Sequence, residues 1–192
     1  MIKRLYDWTL SLAAGPRAPA ALGTVSFVES SVFPIPPDIL LIPMVIAKRE
    51  RAIWFATLCT LTSVLGGVLG YIIGMFLFDQ VAVPVLTFYG KMHWLSEFTA
   101  VFNQWGWWFV FIAGLTPFPY KVITIASGVA GLSLPVFVFA SLVSRGLRFY
   151  VVAALLYFFG PPIRDFIEKR LGLMFTLFVV LLVGGFAALR LI

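Results

Sequence analysis

The sequence is poor in charge, in histidine and in cysteine. Only 11% of its 192 residues are Asp, Glu, Lys or Arg, against roughly 25% in an average soluble domain. No polar block is long enough to build a separate soluble domain. The one cysteine, Cys59, can form no intramolecular disulfide and lies within an apolar run, where it reads as helix filler. His93 has no second histidine beside it, which argues against a metal centre. The chain contains no Gly-x-Ser-x-Gly elbow, His-Glu-x-x-His pair or Cys-x-x-Cys motif, and its glycine series at 66–74 lacks the Lys-Ser/Thr ending of a phosphate loop. Neither an enzymatic role nor a cofactor is therefore expected.

What is abundant is apolar surface. The chain is 61% hydrophobic with a mean hydropathy of +1.03, which makes it an integral membrane protein, read as a single membrane domain over residues 1–192. The net charge of +6 arises from 14 basic and 8 acidic residues. Its basic residues cluster beside apolar runs, as positive-inside orientation requires, so topology explains them better than nucleic-acid binding does. Residues 1–15 carry Asp7 and only a short, interrupted apolar stretch, which disfavours a cleaved signal peptide.

Along the chain, Leu5, Trp8 and Leu12 give residues 3–14 the period of an interfacial amphipathic helix. Residues 20–47 are apolar enough to span, but Pro34, Pro36, Pro37 and Pro43 break any continuous helix there. Basic clusters on both flanks (Lys3, Arg4 and Arg17; Lys48, Arg49 and Arg51) predict that the segment enters and leaves on the cytoplasmic side, as a re-entrant hairpin. Residues 53–78 form a spanning helix, with Gly66, Gly70 and Gly74 spaced to admit a close neighbour. Residues 79–106 read as an interfacial connection, and Trp105, Trp107 and Trp108 as an interfacial belt. Residues 107–131, broken at Pro117 and Pro119, form a second hairpin entering from the other side. Residues 134–159 span back, 160–170 form a charged cytoplasmic loop, and 171–189 make a last crossing. The alternative topology makes both broken segments full, kinked crossings.

The stretch "PIPPD" (34–38) aligns with "PFPYK" (117–121) at a displacement of 83 positions. The halves share an order of amphipathic, Pro-broken and spanning segments, and the hairpin topology inverts one relative to the other. The expected fold is thus an all-α inverted repeat (repeat one about 1–78, a connection over about 79–106, repeat two and the last helix about 107–192). Two facing hairpins are joined by about three spanning helices and interfacial amphipathic helices. Such paired breaks mark midplane binding sites in secondary transporters.

Glu29, Asp38, Lys121, Arg145 and Arg148 all fall within apolar segments, where each charge costs on the order of 2.5–3.5 kcal/mol at a helix centre. Facing hairpins would bring the acids near Lys121. Arg145 and Arg148, three apart on one helix face, match a phosphate whose oxygens accept paired donors. A partly desolvated carboxylate can alternate between charged and neutral, which points to proton coupling. The plainer alternative is that the acids only neutralise the basic residues or satisfy amides freed by the prolines.

"FVESSVFPIPPDILLIP" (27–43), "GLTPFPYKVITIASGVAGL" (114–132) and "SRGLRFYVVAALLYFFG" (144–160) resemble the DedA superfamily, the VTT-domain proteins, and within it the YqaA-type branch. The resemblance covers most of residues 20–160. It implies two facing re-entrant hairpins, acidic residues before and after the first Pro motif, and basic residues in the second half, roles that fall on Glu29, Asp38, Lys121, Arg145 and Arg148. It also implies movement of lipids between leaflets, undecaprenyl phosphate and phosphatidylethanolamine among them, in a bacterial inner membrane. In one respect the chain departs from typical members, whose second hairpin motif is rich in arginine: here Lys121 stands there, a point charge rather than a fork.

The resulting expectation is a flippase- or scramblase-like transporter of an anionic or zwitterionic phospholipid or a polyprenyl phosphate, proton-coupled. Lys121, Arg145 and Arg148 would bind the headgroup, Glu29 and Asp38 would exchange protons, and Pro34, Pro36, Pro37, Pro117 and Pro119 would keep the hairpins broken. Membrane lipids and protons are the expected partners, and a homo-oligomer is compatible with the sequence. A proton-coupled carrier of a small ion and a non-transport membrane-organising protein are the competing classes.

Overall fold

The computed structural model describes residues 15, 17–31, 36–90, 92–116 and 119–160. The interfacial segment expected over residues 3–14, Pro34, Pro117, the charged loop beyond Gly160 and the last crossing over 171–189 lie outside them. Every described element is helical: α1 (Ala18–Ser31), α2 (Asp38–Ala47), a 3-10 turn (Arg49–Arg51), α3 (Ala52–Leu77), a π turn (Phe78–Ala82), α4 (Val83–Phe88), α5 (Met92–Leu115), α6 (Tyr120–Val129) and α7 (Leu134–Gly160). No strand occurs among the described residues.

α3 and α7 are long and apolar enough to cross a membrane. At 1.5 Å per residue each extends about 40 Å, beyond the roughly 30 Å of a hydrocarbon core. The two expected spans, 53–78 and 134–159, match these helices to within a residue at each end. Both breaks fall where the prolines stand: α1 ends at Ser31 and α2 starts after Pro37, while α5 ends at Leu115 and α6 starts after Pro119. Proline suits these starts because its missing amide is one that a first turn leaves unbonded anyway. α6 stops at a Schellman turn. Gly131 adopts φ +64, its amide bonds the Gly128 carbonyl at 3.1 Å and the Leu132 amide bonds the Ser127 carbonyl at 3.0 Å, a left-handed conformation that glycine adopts without a Cβ clash.

The order of elements repeats. α2 and α6 are each ten residues long, and α6 and α7 begin 82 positions after α2 and α3 respectively. Directions follow from the contacts. α1 runs parallel to α3, with Gly23 against Leu58 and Thr62, the Phe27 carbonyl at Gly66 and the Ser30 carbonyl at Gly70. α7 runs antiparallel to α3: Phe137 meets Gly67, the Tyr150 and Thr57 hydroxyls share a 2.7 Å hydrogen bond, and Gly160 meets Arg49. α5 runs parallel to α7, with Trp107 stacked on Phe139 and Gly114 against Ser144.

The glycine spacing in α3 admits close neighbours, as the sequence predicts. A Cβ at Gly66 would run into the Phe27 carbonyl of α1, one at Gly70 into the Thr124 hydroxyl of α6, and one at Gly74 into the Ile125 carbonyl of α6. Close backbone approach gives dispersion contacts that apolar solvent does not replace, and this favours small residues between helices in lipid. Two apolar cores form at opposite ends of α3. The first gathers Leu22, Leu41, Val45, Phe55 and Cys59 with Phe149 and Leu156. The second gathers Tyr71, Val110, Tyr120, Leu132 and Phe137.

The connection differs from its expected outline. α5 is continuous from Met92 to Leu115 and passes through Gly106, where the sequence places the end of the interfacial segment. His93, Glu97, Asn103 and Gln104 are exposed on it. Polarity marks where an apolar environment ends, whereas a helix, bonded within itself, continues past that boundary.

Candidate functional site

The polar groups of the bundle converge between its two cores, where the helix ends that border the two breaks meet the middle of α3 and α7. Ser63 is the twelfth residue of α3 and Arg145 the twelfth of α7. The Arg145 guanidinium crosses between them, its Nε donating to Ser63 Oγ at 2.6 Å and its Nη2 to Glu29 Oε2 at 2.8 Å. Arg145 is 1% exposed and Glu29 16%. Its cationic carbon lies 4.8 Å from the centre of the Tyr120 ring and 4.7 Å from that of Phe149. These ring faces attract a desolvated cation.

Hydroxyls tie this pair to the backbone. Ser30 Oγ lies 2.7 Å from Ser63 Oγ and 3.2 Å from Glu29 Oε2, and it also reaches the Ser26 carbonyl. Ser26 donates to the Cys59 carbonyl at 2.8 Å, and Thr124 of α6 to the Ser30 carbonyl at 3.2 Å. All five hydroxyl side chains named here, Ser26, Ser30, Ser63, Thr124 and the Tyr120 phenol bonded to Ser141, are buried. In an apolar solvent each would cost several kcal/mol unpaired, on the order of a lost hydrogen bond or more, so internal pairing is a condition of their being there.

One turn along α7, Arg148 makes the second pair. Its Nη2 donates to Asp38 Oδ2 at 2.6 Å and its Nη1 to the Thr116 carbonyl at 3.1 Å. Asp38 is the first residue of α2 and Thr116 immediately follows α5, so this one side chain bonds to both breaks. Arg148 and Asp38 are 22% and 21% exposed. Asp38 Oδ1 is buried and has no hydrogen-bond partner among the described residues. The sequence neighbours Ile39, Leu115, Leu147 and Val151 are exposed apolar residues.

Four of the five charges singled out from the sequence therefore meet, but in a pairing that sequence spacing does not give. The acids are joined to the two arginines, one each, and the arginines are separated onto different carboxylates. Lys121 is the second residue of α6, half-buried, with its carbonyl accepting from Thr124 Oγ1 at 2.9 Å. Pro36, Pro37 and Pro119 border the breaks. Ser63, Ser30, Tyr120 and Thr116 belong to the site and are not singled out by charge. The signals for them were Ser63 within the apolar run before Gly66 and the tyrosine inside the second Pro motif.

Among the described residues the bundle is all-helical, with two helices long and apolar enough to cross a membrane and two ion pairs joining them to the rest, an arrangement that suits a membrane protein. Residues 35–159 match the VTT domain, and the chain belongs to that family, in the DedA superfamily. It is 37% identical over 186 residues to an uncharacterized protein of Haemophilus influenzae, covering 97% of this chain and 96% of that one. It is 38% identical over 151 residues to an uncharacterized protein of Histophilus somni, covering 79% and 78%. An uncharacterized membrane protein of Mycobacterium leprae is 26% identical over 185 residues, covering 92% and 83%. No solved structure matches the chain.

Proposed function

We propose that the protein is a transporter, not an enzyme, and that it moves an anionic or zwitterionic phospholipid, or a polyprenyl phosphate, between the leaflets of a bacterial inner membrane. The observation that carries this reading is the mid-height quartet Glu29–Arg145 and Asp38–Arg148, set where both breaks meet. Intramembrane charges are costly and concentrate on transport paths, and breaks in corresponding positions of two halves mark midplane sites.

The inverted repeat is part of the proposal. Supporting it are the matching order and lengths of α2–α3 and α6–α7, the antiparallel run of α3 against α7, and the parallel runs of α1 with α3 and α5 with α7. In such an arrangement α1–α2 and α5–α6 are re-entrant hairpins from opposite faces whose tips meet at the quartet. Placement in the YqaA-type branch belongs to the same reading.

Arg145, Arg148 and Lys121 supply the positive field for a headgroup phosphate, and Glu29 and Asp38 take up protons as access alternates. Exposed apolar residues beside Asp38, Thr116 and Arg148 favour a lipid over a small soluble ion, because a charged head can reach the pair sideways while its tails stay in hydrocarbon. The test is reconstitution in liposomes with a fluorescent phospholipid and a polyprenyl phosphate, with and without a pH gradient. Accelerated movement that is lost in Glu29→Gln supports the reading, and dependence on the gradient supports proton coupling. A folded protein that moves neither lipid overturns it.

A further inference from the structure

The two ion pairs are chemically unequal, and this inequality assigns them different tasks within the proposed lipid site, on whose reading the assignment rests. Arg145 is enclosed: 1% exposed, its guanidinium against the rings of Tyr120 and Phe149, with Nε held by Ser63 and Nη2 by Glu29. Its carboxylate partner receives a second donor from Ser30. For a phosphate to reach Arg145, the contacts between α1, α3, α6 and α7 would have to come apart.

Arg148 is built the other way. It is 22% exposed, and its two terminal nitrogens go to two unrelated acceptors, a carboxylate from one break and a backbone carbonyl from the other. Asp38 binds it through Oδ2, while Oδ1 is buried and has no donor among the described residues. A phosphate presents two oxygens at the spacing of a guanidinium fork, so it can take both nitrogens together. Its arrival frees Asp38, a carboxylate that Arg148 satisfies through one oxygen only.

We infer that Arg148 is the direct ligand of the headgroup phosphate and that Asp38 is the intramolecular competitor it is exchanged against, while Arg145, held by Ser63 and Glu29, is a brace that keeps the two halves in register and does not touch the headgroup. The exchange has a signature. A competitor that occupies Arg148 reduces the fraction of protein competent to bind, and removing it tightens the apparent affinity. A residue with a purely structural role would weaken binding or leave it unaltered when replaced.

The experiment is calorimetric titration of the full chain in a neutral detergent with a short-chain phosphatidic acid, a diacylglycerol of the same chain length and inorganic phosphate. Thermal unfolding is followed in parallel. Asp38→Asn is expected to bind phosphatidic acid at least about fivefold more tightly than the unmodified chain. Arg148→Lys, which keeps the charge and loses the fork, is expected to weaken binding about tenfold. Arg148→Lys should cost more affinity than Arg145→Lys, and Arg145→Lys should lower the unfolding temperature more than Arg148→Lys. Weakened or unaltered binding in Asp38→Asn, or the same order of the two lysine variants in both measurements, overturns the division of roles. An unmodified chain that binds phosphatidic acid no better than diacylglycerol overturns the lipid reading itself. Inorganic phosphate binding as tightly as phosphatidic acid upholds the exchange at Arg148 and assigns the ligand to a soluble anion.

Discussion

The first half of the bundle and the second share a backbone plan and differ in what they place on it. Ser63 and Gly66 in α3 occupy the positions that Arg145 and Arg148 hold 82 residues later in α7, and Asp38 opens α2 as Tyr120 opens α6. Both acids of the quartet come from the first half and both arginines from the second. Ser63 accepts from Arg145 Nε while Gly66 admits the Phe27 carbonyl of α1, and each ion pair crosses between halves. A repeat that was identical in charge would repel itself at this point; the divergence turns the same contact into an attraction, which in a medium of low polarity is strong and little screened.

If that is the basis of the contact, breaking the enclosed pair on one side should have the largest effect. Arg145→Ala leaves Glu29 unpaired beside apolar walls and is expected to cost about 3–5 kcal/mol, read as a large fall in unfolding temperature or loss of folded protein on size exclusion. Joint replacement, Glu29→Leu with Arg145→Met, should recover much of that loss, because an apolar pair of similar volume avoids the desolvation of both charges. Recovery of stability without recovery of lipid movement would separate the brace from the function.

Next in size is the close approach in α3. Gly66→Leu drives a side chain into the Phe27 carbonyl and should cost about 1–3 kcal/mol or more, whereas Gly146→Ala, whose Cβ would meet only Thr60 Cγ2 at 3.7 Å, should be nearly neutral. Equal effects at both positions would mean that small residues in the two spanning helices are not differently used. A smaller effect is expected at the more exposed pair, Asp38 and Arg148. A double-mutant cycle on Asp38→Asn and Arg148→Gln should return a coupling of about 1 kcal/mol, clearly below that of Glu29 and Arg145. The smallest change falls on the hydrogen bond between Thr57 and Tyr150 on the α3–α7 surface. Tyr150→Phe should cost about 0.6 kcal/mol, the usual worth of such a bond between helices in a membrane.

Much of this plan is legible in the sequence, for reasons that can be named. Two uninterrupted apolar runs give α3 and α7 because a spanning helix needs only length and hydrophobicity. Prolines give both breaks because a missing amide donor is a local fact. Gly66, Gly70 and Gly74 give the close face of α3 because a four-residue period is a helical one. Pairing is another matter: Glu29 is 116 residues from Arg145 and Asp38 is 110 from Arg148, so their meeting depends on how the halves dock. Facing hairpins suggest Lys121 near the acids, and the plainer alternative has the acids neutralise the basic residues without saying which pairs with which. The arginines reach the acids because α7 crosses α3 in the antiparallel sense, which places the middle of one helix beside the middle of the other. The unbroken course of α5 through Gly106 was hidden for a different reason, since polar side chains on its exposed face imitate the end of a helix.

The most direct measurement is leaflet-to-leaflet movement of a labelled phospholipid in liposomes holding either the unmodified chain or the doubly neutralised Asp38→Asn, Arg148→Gln chain, each verified as folded. Movement above the empty-liposome rate with the first and at that rate with the second is the expected result. Equal rates from both chains would contradict a transport site at the meeting point of the two halves.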